Sequence, residues 1–253
     1  MIMFRAVVQD AKIWRNLLTA ISTLIEEADF NITDEGLKLR SMDPSHVAMV
    51  DFEWSKAAFE EYACDKPSNI RVNLNSMLKL LRRGKSEESL EISYDEENKK
   101  VNLTLKGKIL KKFVMPTLET VEEEVPTPKL SFNAKAKLMS ETLREIIEDS
   151  ETVSDNISFE TRPDRLLVKA SSELSNVSME LSKNDGALLE LDVKENSAAT
   201  FNLNYLGEMV KAGSATSEIV TIEFSTNMPI RLEFEMSQQG RLTYYLAPRI
   251  ESE

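Results

Sequence analysis

An α+β chain built as two similar domains is what this sequence predicts, and three observations carry that prediction. The segment NLNSMLKLLRRGKSEESLEI begins at Asn73, and NLNYLGEMVKAGSATSEIVTI begins at Asn202, 129 residues on. The hairpin FNITDEGLKLRS has a counterpart in NISFETRPDRLLVKAS. Upstream of each hairpin runs an amphipathic stretch, Leu17, Ile21, Leu24 and Ile25 in one half against Met139, Leu143, Ile146 and Ile147 in the other. That last match has an offset of 122, which implies an insertion before the later elements. Three matches in the same order indicate a duplication.

Each half reads as strand, helix, several strands, helix, several strands. Leu90, Ile92 and Tyr94 alternate with Glu91 and Ser93, and Val101, Leu103 and Leu105 alternate with Asn102 and Thr104. This period of two belongs to antiparallel strands that bury one face only. Apolar stripes at helical spacing place helices over Ala11–Ile25, Asn73–Arg83, Lys135–Asp149 and Asn202–Lys211. Between the halves lies PTLETVEEEVPTPK, whose prolines and glutamates predict an extended surface connector. The expected division is residues 1–114, a connector over 115–129, and residues 130–253.

The 253 residues are 42% hydrophobic, enough for a sizeable core. No stretch approaches the length of a membrane span, no secretory signal is visible, and Cys64 is the only cysteine. These features predict a cytoplasmic protein without disulfides. The net charge of −12 argues by itself against nucleic-acid binding, but charge is unevenly placed. Acids crowd Glu119–Glu124 and the C-terminus, while cations recur on helix faces opposite the apolar stripes. Those cations are Lys12 and Arg15 on the first helix, and Lys79, Arg82 and Arg83 on the second with Lys85 just beyond. Lys137 and Arg144 follow on the third, mixed with Glu141 and Glu148, and Lys211 on the fourth.

No phosphate-binding glycine loop, CxxC or HExxH motif occurs, and His46, the only histidine, has no catalytic constellation around it. Asp43, Asp51 and Glu53 could be imagined as a metal site. Asp51 and Glu53 alternate with Phe52 and Trp54, however, which reads more simply as the solvent side of a strand. The expectation is a non-enzyme with no cofactor and no metal.

LRSMDPSHVAMV (Leu39–Val50), the acidic connector after Met115, and YYLAPRIESE (Tyr244–Glu253) stand together in the middle and at the end of a duplicated chain. In this the sequence resembles the proliferating cell nuclear antigen family of DNA sliding clamps, and its archaeal members in particular, over essentially its whole length. The resemblance implies a duplicated DNA-clamp fold, three subunits closed into a ring, helices lining the hole and sheets outside. It implies sequence-independent contact of Lys12, Arg15, Lys79, Arg82, Arg83, Lys85, Arg144 and Lys211 with duplex DNA through phosphates. It implies a groove for short partner peptides at Met42, His46, Val47, Leu118, Val121, Pro229, Tyr245, Leu246, Ala247 and Pro248. It also implies subunit contacts between Lys106, Lys108, Lys111 and Lys112 on one edge strand and Glu173, Val177 and Glu180 on another. Exposed strand edges invite pairing, and opposite charge favours a head-to-tail arrangement.

The implied partners are duplex DNA, further clamp subunits, DNA polymerase, clamp loader, flap endonuclease and DNA ligase. The expected place is the cytoplasm, on the nucleoid. The alternative within the family is a paralogue serving in a heterotrimeric or checkpoint-type ring.

Overall fold

The computed structural model describes residues 2–82, 87–121, 125–126, 128–184, 186–236 and 239–250. Its contacts divide the chain into two units, each with its own core. The first consists of Met1–Pro44, Val50–Val125 and Met236–Arg241; the second of Ser45–Met49, Pro126–Glu235 and Leu242–Glu253.

In chain order the first repeat comprises β1 (Ile2–Val8), α1 (Ala11–Ile21), β2 (Glu27–Thr33), β3 (Gly36–Met42) and β4 (Ala48–Ser55). A short 3-10 turn at Lys56–Ala58 leads to β5 (Glu61–Cys64), β6 (Ser68–Asn73), α2 (Leu74–Leu81), β7 (Ser89–Asp95), β8 (Lys100–Lys106) and β9 (Leu110–Pro116). The second repeat comprises β10 (Ala134–Met139), α3 (Ser140–Glu151), β11 (Asn156–Arg162), β12 (Arg165–Ser171), β13 (Asn176–Ser182), β14 (Leu188–Val193), β15 (Ala198–Asn202), α4 (Leu203–Ser214), β16 (Ile219–Phe224), β17 (Ile230–Met236) and β18 (Gly240–Leu246).

Strand order repeats as faithfully as element order. The order β5-β1-β7-β8-β9 returns as β14-β10-β16-β17-β18, and β6-β2-β3-β4 returns as β15-β11-β12-β13. The fold is α+β and duplicated. The hairpins match at an offset of 129, β2 and β3 against β11 and β12.

The helices correct the offset read from sequence. Ala11, Trp14, Leu17, Leu18 and Ile21 are buried on α1, and Ser140, Leu143, Ile146, Ile147 and Ser150 are buried on α3. This pairing keeps the offset of 129, so no insertion separates helix from hairpin. The sequence match at 122 slipped by two helical turns, about 7 residues, over which an apolar stripe repeats almost unchanged.

Helix ends also differ from the expectation. Lys135–Met139 is not helical but strand β10, paired on both sides with β14 and β16. Its helix-forming residues are overridden by sheet pairing with distant segments, and the alternation of buried Ala134, Ala136 and Leu138 with Lys135 and Lys137 shows the strand period. Helix α1 ends at Ile21 rather than Ile25, where Ser22 and Thr23 donate their hydroxyls back to Thr19 O and Ala20 O. Asn73 and Asn202, the residues that open the repeated motif, prove to be N-caps. Asn73 Oδ1 accepts from Ser76 N at 2.8 Å, and Asn202 Oδ1 accepts from Tyr205 N at 3.2 Å.

Aromatic residues anchor the cores. Trp14 stacks on Trp54 at 5.8 Å and meets Phe30 at 5.9 Å in the first unit. In the second, Phe159 lies 6.2 Å from both Phe201 and Phe224. Phe30 and Phe159 occupy the same position of the repeat. Gly36 opens β3 with φ 145°, and an added Cβ there would meet Trp54 O at 2.1 Å.

Candidate nucleic-acid and partner-binding surfaces

Two side-by-side helices in each unit turn an apolar stripe inward and a polar face outward. On α1 the outward residues include Lys12, which is exposed, and Arg15, which is half-buried. On α2 they include Lys79, with Arg82 exposed at the C-terminal cap. Neither helix contains an acidic residue. Lys79 and Arg82 sit where the helix dipole favours positive charge, so their placement costs the helix nothing. Arg83 and Lys85 lie outside the described residues.

The second unit differs. Helix α3 carries Glu141, Glu145, Glu148, Asp149 and Glu151 around its one cation. Arg144 donates to Glu141 at 2.5 Å and stands 3.5 Å from Glu148, so its charge is matched locally. Helix α4 presents Lys211, exposed in its last turn, together with Glu208. Lys137, expected on a helix face, lies on β10 with its ammonium 3.9 Å from Glu235.

The residues expected in a peptide groove fall into the two units. In the second, the Val47 carbonyl accepts from Ala247 N at 2.8 Å, which joins the loop before β4 to the segment after β18. His46 beside it is exposed, with φ 57°. Arg249 N donates to Thr200 O at 2.7 Å and its guanidinium to Asn156 Oδ1 at 2.9 Å, which lays the C-terminal segment along the edge of β15. Tyr245, Ala247, Pro248 and Pro229 are half-buried, with Met228 exposed next to them. Leu246 is only 2% exposed and works as a core residue rather than as accessible lining.

In the first unit, Met42 is half-buried at the end of β3, while Leu118 and Val121 are exposed. Leu118 N donates to Arg71 O at 2.8 Å, fixing the start of the connector to the edge of β6. Arg71 also holds Glu27 at 2.8 Å and Asp29 at 3.2 Å. Burial pushes the Asp29 carboxyl up, against the pull of Arg71, and nearby Glu27 adds to the rise.

Strands β9 and β13 each lie at the edge of a sheet. Lys111 is paired with Glu88 and Lys106 with Glu91, both at 2.7 Å, so two of the four lysines are neutralised within the chain. That pairing holds the Glu91 carboxyl below its usual range, with the Arg5 hydrogen bond the larger cause. Among the described residues Lys108 and Lys112 have no ion-pair partner, and neither does Glu173; Glu180 bonds Arg165 at 2.5 Å. Val177 is half-buried on β13. Sequence reasoning missed the apolar part of these edges. Ile109, Leu110 and Val114 are exposed at β9, and Leu174, just before β13, is 97% exposed. Alternation alone cannot separate an edge strand from a central one.

The imagined metal site is spent on ion pairs: Asp51 with Arg40 at 2.7 Å, and Glu53 with Arg241 at 2.9 Å and Lys38 at 3.5 Å. Among the described residues no group of three or more His, Cys, Asp or Glu side chains could hold a metal ion. No helix among them is long and apolar enough to cross a membrane.

Residues 3–124 match the family model "proliferating cell nuclear antigen, N-terminal domain", and residues 126–249 match its C-terminal counterpart. The chain belongs to the proliferating cell nuclear antigen family. A protein of Thermococcus gammatolerans named "DNA polymerase sliding clamp" is 36% identical over 248 residues, 98% of this chain and 99% of that one. "DNA polymerase sliding clamp 1" of Pyrobaculum aerophilum is 38% identical over 242 residues, 96% of each chain. The structure of the family member from Thermococcus kodakaraensis superposes with a TM-score of 0.93 at 26% identity, covering 97% of this chain and all of that one. A PCNA2–PCNA3 complex from Sulfolobus tokodaii gives 0.90 at 30% identity, covering 98% and 100%. Proliferating cell nuclear antigen sliding clamps are non-enzymatic scaffold proteins.

Proposed function

We propose that this chain is one subunit of a DNA polymerase sliding clamp, a ring that encircles duplex DNA and tethers polymerase and other replication and repair enzymes. The observation that carries the reading is the acid-free outer face of α1 and α2 in a chain of net charge −12. Lys12, Arg15, Lys79 and Arg82 form the part of that face suited to phosphates. Contacts from flexible cations to phosphates bear no sequence information, so a ring held on DNA by topology moves along any duplex. Arg144 and Lys211 contribute less, because Glu141, Glu148 and Glu208 stand beside them.

In the second unit Tyr245, Ala247 and Pro248 with His46, Val47 and Pro229 supply a peptide-receiving surface, and in the first unit Met42, Leu118 and Val121 are the candidates for peptide contact. Burial of a peptide's anchor side chains drives binding, offset by the cost of ordering the peptide, which gives affinities on the order of micromolar. Glu119 and the acids after it favour peptides with flanking Lys or Arg. Such exchangeable binding lets polymerase, flap nuclease and ligase take turns, in the cytoplasm on the nucleoid.

Primer extension on a primed circular template, with a clamp loader and polymerase, tests the reading. The expected result is longer products per binding event with the chain present. Unchanged product length would remove the processivity role. Sedimentation of the pure chain as a trimer is the companion expectation, and a monomer would assign the ring to a mixture of paralogues.

A further inference from the structure

The two repeats build the same core from side chains of different size. Val72 precedes the capping Asn73 on β6, and Phe201 precedes the capping Asn202 on β15, so the two occupy one position of the repeat. Phe201 fills that position with a ring 6.2 Å from Phe159. Val72 offers only two methyls. Its neighbour across the ladder, Ala28 on β2, is likewise smaller than Ile157 on β11, which faces Phe201. One exchange runs the other way, since Ile70 faces Phe30 where Ala199 faces Phe159. That added bulk sits two residues along the strand from Val72. All of these side chains are buried, so the difference is one of core packing.

The first unit holds a cavity of about 30 Å³ at this place. Trp14 on α1 and Met77 on α2 bound it, with Phe30 and Val72 on one sheet and Ile92 and Tyr94 on the other. The surface turned toward it is apolar throughout. Even the Tyr94 hydroxyl is engaged elsewhere, bonded to Thr117. A buried water needs roughly 10–15 Å³ and two to four polar partners. The room suffices here but the partners are missing, so water is disfavoured. An apolar cavity also deprives its lining of dispersion contacts, which a fitting guest would restore.

We propose that this cavity is a binding site for one small apolar guest, of the class of a dissolved gas or a short hydrocarbon. Size sets the class: apolar cavities of about 150 Å³ take benzene, and this one, about a fifth as large, admits only a few heavy atoms. Transfer of the guest out of water and dispersion contact with Trp14, Phe30 and Met77 drive binding. The unbranched thioether of Met77 adapts to the guest at little cost. The site belongs to the first repeat alone, because the Phe201 ring takes the corresponding place in the second. A guest that binds only the folded unit stabilises it by mass action. The inference stands on the core of the first unit and is independent of the clamp reading.

Xenon is the probe, applied under pressure to the full chain and read by methyl NMR. The expected result is saturable shifts at the methyls of Val72, Met77 and Ile92, with those of Ile157 and Leu206 in the second unit unmoved. Val72→Leu adds one methylene to the space and should abolish the saturable shifts while the chain stays folded. Shifts that grow linearly with pressure, or equally in both units, would mean general partitioning and overturn the site. Saturable shifts that survive Val72→Leu would place the guest elsewhere and overturn it too. A second variant guards against misfolding of the first. Val72→Ala enlarges the cavity, so benzene should raise its unfolding temperature and leave that of the unaltered chain unchanged. Benzene that stabilises neither protein, or both equally, contradicts a cavity whose size Val72 sets.

Discussion

The helix pair of the first repeat and that of the second share topology and buried positions, and α2 and α4 share an asparagine cap, yet their outer faces have diverged. Helices α1 and α2 carry Lys12, Arg15 and Lys79 with no acid, whereas α3 carries five acids around Arg144. Buried positions are dictated by packing, so duplication preserves them: Leu17 and Ile146, Leu18 and Ile147, Phe30 and Phe159 stand in for one another. Outer faces answer only to solvent and partners, so they record what each copy came to touch. The difference assigns most of the proposed DNA contact to the first repeat. The strand ends follow the cores rather than the outer faces: Leu118 and Arg249 pair with the equivalent Arg71 and Thr200, so Leu246 on β18 corresponds to Met115 on β9, and both are buried, 2% and 6% exposed.

The largest expected effect lies at that last pair. Leu246→Ala removes a fully packed side chain and should cost about 2–5 kcal/mol of stability. Pro116→Ala, at the exposed neighbour of the corresponding Met115, should cost less than about 1 kcal/mol. Denaturant titration of both variants checks this, and equal losses would mean that Leu246 is no more a core residue than an exposed strand end is.

Next comes the charge on the first repeat. Lys79→Glu with Arg82→Glu should lower the slope of log affinity against log salt by about 1.8, two phosphate contacts' worth, measured over roughly 50–200 mM salt. Assembly should be unchanged, because both side chains are exposed and belong to α2 and its cap rather than to β9 or β13. A slope equal to that of the unaltered protein would place this face away from DNA.

The duplication was legible in the sequence because its signals are local: a capping asparagine before an apolar stripe, and alternation either side of a hairpin turn. The proposed DNA face of α1 and α2 was legible for the same reason, since Lys12, Arg15, Lys79 and Arg82 follow directly from helical spacing. What escaped depended on distant partners. Lys135–Met139 becomes a strand only because β14 and β16 flank it, and Lys137 leaves the helix face with it. Leu246 looked like groove lining because the resemblance pointed there, and only the packed core reveals it as buried. The exposed apolar residues Ile109, Leu110 and Val114 read as ordinary strand positions until β9 is seen to be an edge.

A smaller effect should come from relieving the acidity of the second repeat. Glu148→Gln removes one of the two carboxylates beside Arg144, and both side chains are solvent-accessible, so the fold is not at risk. The salt slope should rise, by less than the roughly 0.9 of one full phosphate contact, because Glu141 still holds the guanidinium. A slope that stays fixed would mean that α3 is too far from DNA for its charge to matter.

The smallest effect is expected at Arg144 itself, and it is the sharpest test of the contrast between repeats. If α3 served DNA as α2 is proposed to, Arg144→Gln should cost about 0.9 in slope, as any lost phosphate contact does. The geometry argues otherwise. The guanidinium bonds Glu141 at 2.5 Å and faces Glu148 at 3.5 Å, one turn away on either side. A phosphate would have to compete with both carboxylates and would bring its own charge close to them, a repulsion that screening at moderate salt lessens but does not remove. Arg144→Gln should therefore change the slope by far less than one contact. Stability should fall by roughly the few tenths of a kcal/mol that exposed helix pairs contribute. A loss near 0.9 would show that DNA draws Arg144 away from its glutamates, and the second repeat would then share the contact with the first.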